Sequence, residues 1–179
     1  DDTIFALATA PGRAGVAVVR LSGTQAGPIL KHLTGRPLPA PRQAALRHFI
    51  DPQTGEALDT GLALWFPAPA SYTGEDVVEL HLHGGPAVID AVLAVLSRKP
   101  NTRPATAGEF TRRAFECGKL DLTAIEGLAD LLAAETESQR RQALRQYQGQ
   151  LGALYEGWRA ELIGVLAHES GHIAGGHLA

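Results

Sequence analysis

SYTGEDVVELHLHGG, residues Ser71 to Gly85, decides how this chain folds. A turn-forming segment leads into an alternating stretch, which predicts a strand from Asp76 to His83. Side chains two residues apart lie on the same face of a strand. One face therefore carries Val78, Leu80 and Leu82, and the other carries Val77, Glu79, His81 and His83. The glycine pair and Pro86 then open an apolar helix, predicted over Ala87–Arg98.

The second face of this strand combines a carboxylate with two imidazoles. Burial of such groups is costly unless they are paired or bind a ligand. Two interpretations stay open on the residues alone: a strand whose polar face meets solvent, or a strand that lines a binding site beside the glycine loop, where a ligand can approach closely.

Outward from this stretch, the same reasoning predicts an α+β fold with a mixed sheet and packed helices. Further strands are expected at Thr3–Thr9, Val16–Leu21, Ala45–Ile50 and Gly61–Phe66, with a short helix at Gln25–Leu33 and a possible edge strand within residues 99–104.

From Thr106 onward the pattern becomes helical. Thr106 to Glu109 and Thr123 to Glu126 both have the form of a capping box. In the first, the Thr106 hydroxyl is expected to cap the first turn while Glu109 reaches back. We place a boundary near Leu120, which gives an α/β domain over residues 1–119 and an incomplete helical domain over residues 120–179. An apolar stripe predicts one long amphipathic helix through Leu144, Tyr147, Leu151, Leu154, Trp158, Leu162 and Val165.

Composition excludes several classes of protein. The 179 residues carry a net charge of −3, so no global basic field marks a nucleic-acid binder. The single cysteine, Cys117, cannot form an internal disulfide and suits a reducing cytoplasm, where we expect the protein. No apolar run approaches the roughly 20 residues of a membrane span.

Several ordered motifs resemble the N-terminal region of the tRNA modification GTPases, the TrmE/MnmE family. TGED and HGG in the opening stretch are similar to family motifs. So are Pro11-Gly12-Arg13-Ala14-Gly15-Val16, Arg20-Leu21-Ser22-Gly23, Gly108-Glu109-Phe110 with Arg113-Ala114-Phe115, Gly118-Lys119-Leu120-Asp121-Leu122 and Glu126 to Leu131. Ala107 and Cys117 depart from the family, which usually has proline and asparagine there.

The resemblance implies a folate-binding and dimerising domain followed by the first helices of a helical domain. Family members bind a tetrahydrofolate derivative, such as 5-formyl- or methylene-tetrahydrofolate, and form homodimers. With a flavin-dependent partner of the GidA/MnmG family, they modify carbon 5 of the wobble uridine of tRNA. GTP, K+ and Mg2+ belong to a G domain that the resemblance places after these residues. The 179 residues contain no G-x-x-x-x-G-K-S/T motif, so we expect a fragment that does not bind GTP.

The resemblance assigns folate contacts to Arg20, Glu79 and Lys119, with no catalytic residue in this chain. A carboxylate can accept the N–H edge of a pterin bidentately, and a cation suits the anionic glutamate tail. Each residue also has a simpler interpretation. Arg20 could form a structural ion pair on an edge strand, and Lys119 could be a solvated lysine near a helix end. Arg13, Arg112 and Arg113 are interpreted as exposed, and Cys117 is not expected to be a nucleophile.

Two alternative functions come from other classes of protein. One is a dimerisation scaffold that has lost ligand binding. The other, which we do not favour, is a metallopeptidase, because His168-Glu169-Ser170-Gly171-His172 matches the zinc motif H-E-x-x-H. Gly171 disfavours the helix that this motif requires, and we expect no metal site.

Overall fold

A computed structural model describes residues 2–149, which fall into two compact units divided between Lys119 and Leu120. Each unit is considered by itself. The H-E-x-x-H motif and the apolar stripe from Leu151 to Val165 lie outside the described residues. No helix among the described residues is long and apolar enough to cross a membrane.

The first unit is a mixed sheet with helices, which confirms the predicted α+β class. Its six strands lie in the order β3-β4-β5-β2-β1-β6, and all neighbours are antiparallel except β1 and β6. The elements are β1 Thr3–Leu7, β2 Ala14–Ser22, α1 Ala26–Thr34, β3 Ala45–Ile50, β4 Ala57–Phe66, β5 Val77–Gly84, α2 Pro86–Ser97, β6 Thr102–Pro104 and α3 Glu109–Glu116.

The core lies on one face of the sheet, beneath α1 and α2. Val78, Leu80 and Leu82 of β5 are buried there, as their alternation predicts. Val19 and Leu21 of β2 join them from the neighbouring strand. Burial of each such side chain contributes roughly 1.5–3 kcal/mol, so this face fixes the register of the central strands.

The ends of the helices that cover the core follow local chemistry. Helix α2 begins at Pro86, whose fixed φ suits a first helical position, after Gly85 in an extended conformation. Helix α1 ends at Gly35, which adopts a left-handed φ of 60° and donates its N–H to the carbonyl of Lys31.

Helix α3 begins differently from the prediction. Its N-cap is Gly108, in the left-handed region, and no side chain caps the first turn. The Thr106 hydroxyl donates instead to the Glu109 carboxylate, which also accepts the backbone N–H of Thr106. The predicted cap by the Thr106 hydroxyl is therefore wrong, because the Glu109 N–H donates to the Thr106 carbonyl at 3.1 Å instead. The other half of the predicted box, in which Glu109 reaches back to the Thr106 N–H, is confirmed.

The second unit contains, among its described residues, α4 Leu122–Ala133 and α5 Glu137–Tyr147. Asp121 caps α4 by accepting the Ala124 N–H, so the predicted cap at Thr123 is also wrong. A complete capping box does occur at α5, between Thr136 and Gln139. The helices approach closely at Gly127, where a Cβ would lie 2.5 Å from the Tyr147 nitrogen.

The prediction of one long helix through Leu144 and beyond is wrong at its start. Helix α5 ends at Tyr147, and Gly149 has a positive φ of 75°. Left-handed glycine is a common helix terminator because it lacks a Cβ. The remainder of the predicted stripe lies beyond the described residues.

Candidate ligand site

Arg20 and Glu79 form the centre of the candidate site, on the sheet face opposite the core. They are directly opposed on the antiparallel strands β2 and β5. Arg20 donates from Nε and Nη2 to the same oxygen, Glu79 Oε1, at 2.9 and 2.8 Å. β2 lies inside the sheet, so the edge-strand interpretation of Arg20 is wrong, whereas the ion pair that it included is present.

Two aromatic rings flank the Arg20 guanidinium. Its central carbon lies 5.2 Å from the centroid of Tyr72 and 5.7 Å from that of Phe110. Both distances fall within the range of cation–π attraction. The Tyr72 hydroxyl lies 3.0 Å from the hydroxyl of Thr111, which joins the ring to α3. Arg20 is thus held by one carboxylate and two aromatic faces.

Glu79 retains an acceptor for a ligand. Among residues 2–149, its second oxygen, Oε2, has a contact only to His81 Nε2, at 3.4 Å. That distance exceeds the usual range of a hydrogen bond between nitrogen and oxygen. A carboxylate with one oxygen fixed and the other available can accept an N–H group in a defined direction.

The loop from Ser71 to Asp76 forms the wall beside this pair. Thr73 is fully buried, and its hydroxyl lies 2.6 Å from the hydroxyl of Ser22 at the end of β2. The Gly23 N–H donates to the carbonyl of Asp76. The loop therefore follows the end of β2, two residues beyond Arg20.

Lys119 is exposed and approaches the same loop at Gly74. A Cβ added at Gly74 would be 3.4 Å from Lys119 Cε and 2.9 Å from the Cβ of Cys117. Gly74 also has a positive φ of 82°, so the loop approaches both residues where a side chain would be strained. Among the described residues, Lys119 makes no ion pair with Glu79. The structure thus unites Arg20 with Glu79 and places Lys119 at the rim of the loop.

A group of charged residues behind the loop was not predicted from the sequence. We call it the ion-pair cluster: Asp2, Glu75, Arg103, Glu109 and Arg113. Arg113 was expected to be solvated, but its side chain is only 11% exposed, so that expectation is wrong. Arg13 and Arg112 are exposed, as expected.

The cluster shifts the titration of its members. Hydrogen bonds from Arg103 hold the pKa of Glu109 far below its usual range, and the Thr106 N–H acts in the same direction against the cost of burial. Arg103 likewise lowers the pKa of Asp2. Burial would lower the pKa of Arg113, but its bonds to Glu75 and Asp2 leave that pKa raised. All three groups therefore stay ionised near neutral pH.

Metal binding finds no support in the part of the chain that the structure describes. No group of three or more His, Cys, Asp or Glu side chains within residues 2–149 is arranged to hold an ion. His83 and His48 have other neighbours: His83 Nδ1 lies 2.7 Å from Asp59, and His48 Nδ1 lies 2.8 Å from the Thr60 hydroxyl.

Known protein families match the sequence of both units. A family model described as "GTP-binding protein TrmE N-terminus" matches residues 3–119, and one described as "MnmE helical domain" matches residues 122–173. The tRNA modification GTPase MnmE of Parvibaculum lavamentivorans is 63% identical over 172 residues, which cover 96% of this chain and 39% of that protein. The tRNA modification GTPase MnmE of a Methylobacterium species is 61% identical over 166 residues, which cover 93% of this chain and 38% of that protein.

A mitochondrial relative is also similar. The 5-taurinomethyluridine-tRNA synthase subunit of Homo sapiens is 58% identical over 172 residues, which cover 96% of this chain and 35% of that protein. The chain thus spans between a third and two fifths of the length of these relatives. With a family match over residues 3–119, more than half of its length, the chain belongs to the TrmE N-terminus family, and the segment after it matches the MnmE helical domain.

Proposed function

We propose that the first unit binds a reduced folate at Arg20 and Glu79, within a protein that modifies carbon 5 of the wobble uridine of tRNA. The observation that carries this proposal is the Arg20–Glu79 pair, with one carboxylate oxygen available and two aromatic rings beside it. The relatives, which are named as tRNA modification GTPases or as a 5-taurinomethyluridine-tRNA synthase subunit, support the wider role.

The residues present fit such a ligand. Glu79 Oε2 would accept an N–H group of the pterin edge, as a carboxylate does with guanine-like edges. Lys119, which is exposed near the same loop, would suit the anionic glutamate tail. Arg20 Nη1, which donates to no described residue, lies beside Glu79 and would donate to an acceptor of the pterin ring. When bound, a tetrahydrofolate supplies a one-carbon unit, and this chain's residues would bind and orient it.

The wider assignments belong to the same proposal. Residues 1–119 would be the folate-binding and dimerising domain, and residues 120–179 the first part of a helical domain. A flavin-dependent protein of the GidA/MnmG family would act as the partner, and GTP, K+ and Mg2+ would be used outside these 179 residues. A cytoplasmic location stays a prediction, since several relatives, the human protein among them, are named as mitochondrial.

Replacing Glu79 with alanine is expected to weaken the binding of 5-formyltetrahydrofolate by roughly 1–3 kcal/mol, because the pterin edge and Arg20 both lose their charged partner. Isothermal titration calorimetry on the purified chain measures this change. Glu56→Ala is the matched control, since Glu56 lies exposed in the turn between β3 and β4. Equal affinities of wild type and Glu79→Ala would rule out the assignment.

A dimerisation role has its own support on the same sheet face. Leu46 of the edge strand β3 and Leu62 of β4 are directly opposed, and they are 64% and 40% exposed. Next to them in register lie His81 and Val18. An exposed apolar pair at the edge of a sheet favours association with another surface. We propose that a second copy of this chain covers it.

The double variant Leu46→Glu, Leu62→Glu is expected to be monomeric where the wild type is dimeric, because four carboxylates would face one another in a symmetric contact. Light scattering measures the molar mass of the protein in solution. The protein concentration should be on the order of tens of micromolar, because a dimer with a micromolar Kd is still mostly associated there. Leu132→Glu is the control, since Leu132 is an exposed leucine of α4. A wild type that is monomeric under these conditions would contradict the proposal.

A further inference from the structure

Glu75 is the second carboxylate close to the candidate site, and both of its oxygens are engaged. Arg113 Nη1 donates to Oε1 and Oε2 at 3.1 and 3.2 Å, and the Ser22 hydroxyl donates to Oε2 at 2.6 Å. In contrast, Glu79 keeps one oxygen available. Glu75 thus has the contacts of a residue that joins parts of the protein rather than one that binds a ligand.

We propose that Glu75 is a positioning residue: it ties α3 to β2 and thereby keeps Tyr72 and Phe110 against Arg20. The ligand named for this site rests on the proposed function, whereas the effect on Arg20 does not.

The first half of the connection runs through β2. Ser22, the partner of Glu75, lies two residues after Arg20 and so on the same face of the strand. Ser22 also lies 2.6 Å from the buried Thr73 hydroxyl. The Glu75 carboxylate therefore fixes the loop against the strand that carries Arg20.

The second half runs through α3. Arg113 is one turn after Phe110 and two residues after Thr111, whose hydroxyl contacts Tyr72. The contact between Glu75 and Arg113 therefore positions α3, the helix that carries Phe110 and that contacts Tyr72 through Thr111. Arg113 also donates to the Asp2 carbonyl at 2.9 Å, which joins the helix to the start of β1.

Three substitutions separate this role from general stability. Glu75→Ala removes every contact of the carboxylate. Glu75→Gln keeps the length of the side chain: its oxygen can accept from Arg113, and its amide can donate to Ser22, because a hydroxyl both donates and accepts. Ser22→Ala removes only the strand side of the connection. If position matters more than charge, glutamine should preserve the site where alanine does not.

The test uses the 15N-labelled chain without ligand and follows the Nε–Hε signal of Arg20, assigned by its loss in Arg20→Lys. The two nearby ring faces and the hydrogen bond to Glu79 should both displace this signal from that of an exposed arginine, and the Glu75 variants should change the contribution of the rings. We expect Glu75→Ala to return it toward the exposed position, Glu75→Gln to leave it in place and Ser22→Ala to shift it partly. Asp51→Asn is the control, because Asp51 pairs with Arg98, away from these contacts.

Folate affinity provides the second readout. We expect 5-formyltetrahydrofolate to bind about tenfold more weakly to Glu75→Ala, because binding would then have to order Arg20 and its aromatic neighbours, and nearly as well to Glu75→Gln as to wild type. The proposal would be overturned if the Arg20 signal of Glu75→Ala stayed at its wild-type position. It would also be overturned if Glu75→Gln moved the signal from that position as far as Glu75→Ala does. If Glu75→Ala does not fold, an unmoved signal in Ser22→Ala would overturn it. If the Arg20 signal moves in Glu75→Ala but the wild type binds no folate, the positioning role is supported and the proposed ligand is refuted.

Discussion

Gly61→Ala is expected to destabilise the first unit by about 3 kcal/mol or more, at the upper end of the cost of overpacking. A Cβ at position 61 would lie 2.1 Å from the carbonyl oxygen of His81. That oxygen belongs to the backbone of β5, so no side-chain rotation can make room, and β4 and β5 would have to separate. Urea denaturation followed by circular dichroism measures the change in the free energy of unfolding.

The matched control for this prediction is Gly15→Ala. No atom lies within 4 Å of a Cβ built at Gly15, and its φ is not in the left-handed region. The same chemical change should therefore be close to neutral there. A Gly61→Ala variant as stable as Gly15→Ala would show that the two strands are further apart than described.

Glu109→Gln is expected to cost roughly 1.5–3 kcal/mol of stability at pH 7, the usual worth of a hydrogen bond to a charged group. Glu109 is 2% exposed and accepts bonds from Arg103 and from the Thr106 N–H. Glutamine preserves the volume but replaces one acceptor with a donor that faces these donors. Urea denaturation at pH 7 tests the change.

The difference should shrink as the pH falls. The pKa of Glu109 is lowered in the folded state, so the ionised group stabilises the protein above its ordinary pKa of about 4.3. Below that value the unfolded chain binds more protons, and this stabilisation is lost. Denaturation at pH 7 and pH 3 compares wild type with Glu109→Gln. A difference that stays constant or widens toward pH 3 would contradict the assignment.

Glu137→Gln is the control for this pH dependence. Its neighbours Arg140 and Arg141 lower the pKa of Glu137 to about 2, yet the residue is exposed on α5. Because solvent and salt screen exposed pairs, the difference in stability between wild type and Glu137→Gln should change with pH much less than the difference between wild type and Glu109→Gln does. Comparison of the two separates burial from the presence of an ion pair.

Alternation and apolar periodicity were sufficient to predict the class of the fold and most elements of the first unit. Val78, Leu80 and Leu82 are buried as predicted. Side chains of a strand alternate between two faces, so only the apolar face of this strand can pack against a core on one side of the sheet. Ala45–Ile50 was predicted with its observed bounds. The caps by the Thr106 and Thr123 hydroxyls were wrong, because a local motif does not reveal which group accepts the free N–H groups of the first turn. The Thr106 carbonyl accepts from Glu109, and the Asp121 side chain accepts from Ala124.

The candidate site was predicted only in part. Arg20 and Glu79 were named separately, and the antiparallel register that pairs them is a tertiary fact. Tyr72 and Phe110 were missed, although each lies in a motif that was quoted, because aromatic residues are usually assigned to a core. Arg113 was expected to be solvated, since helical spacing cannot show that Asp2 and Glu75 lie opposite it.

The order of the strands has a consequence for synthesis on the ribosome. β3, β4 and β5 are neighbours in both sequence and space, so they can pair soon after they emerge. β1 pairs on one side with β6, where Thr3 lies opposite Thr102, and Arg113 contacts Asp2 across 111 positions of sequence. Strand β1 must therefore wait, with one edge unpaired, until β6 and α3 have been translated. During that interval this edge is available to chaperones or to a misplaced strand of another nascent chain.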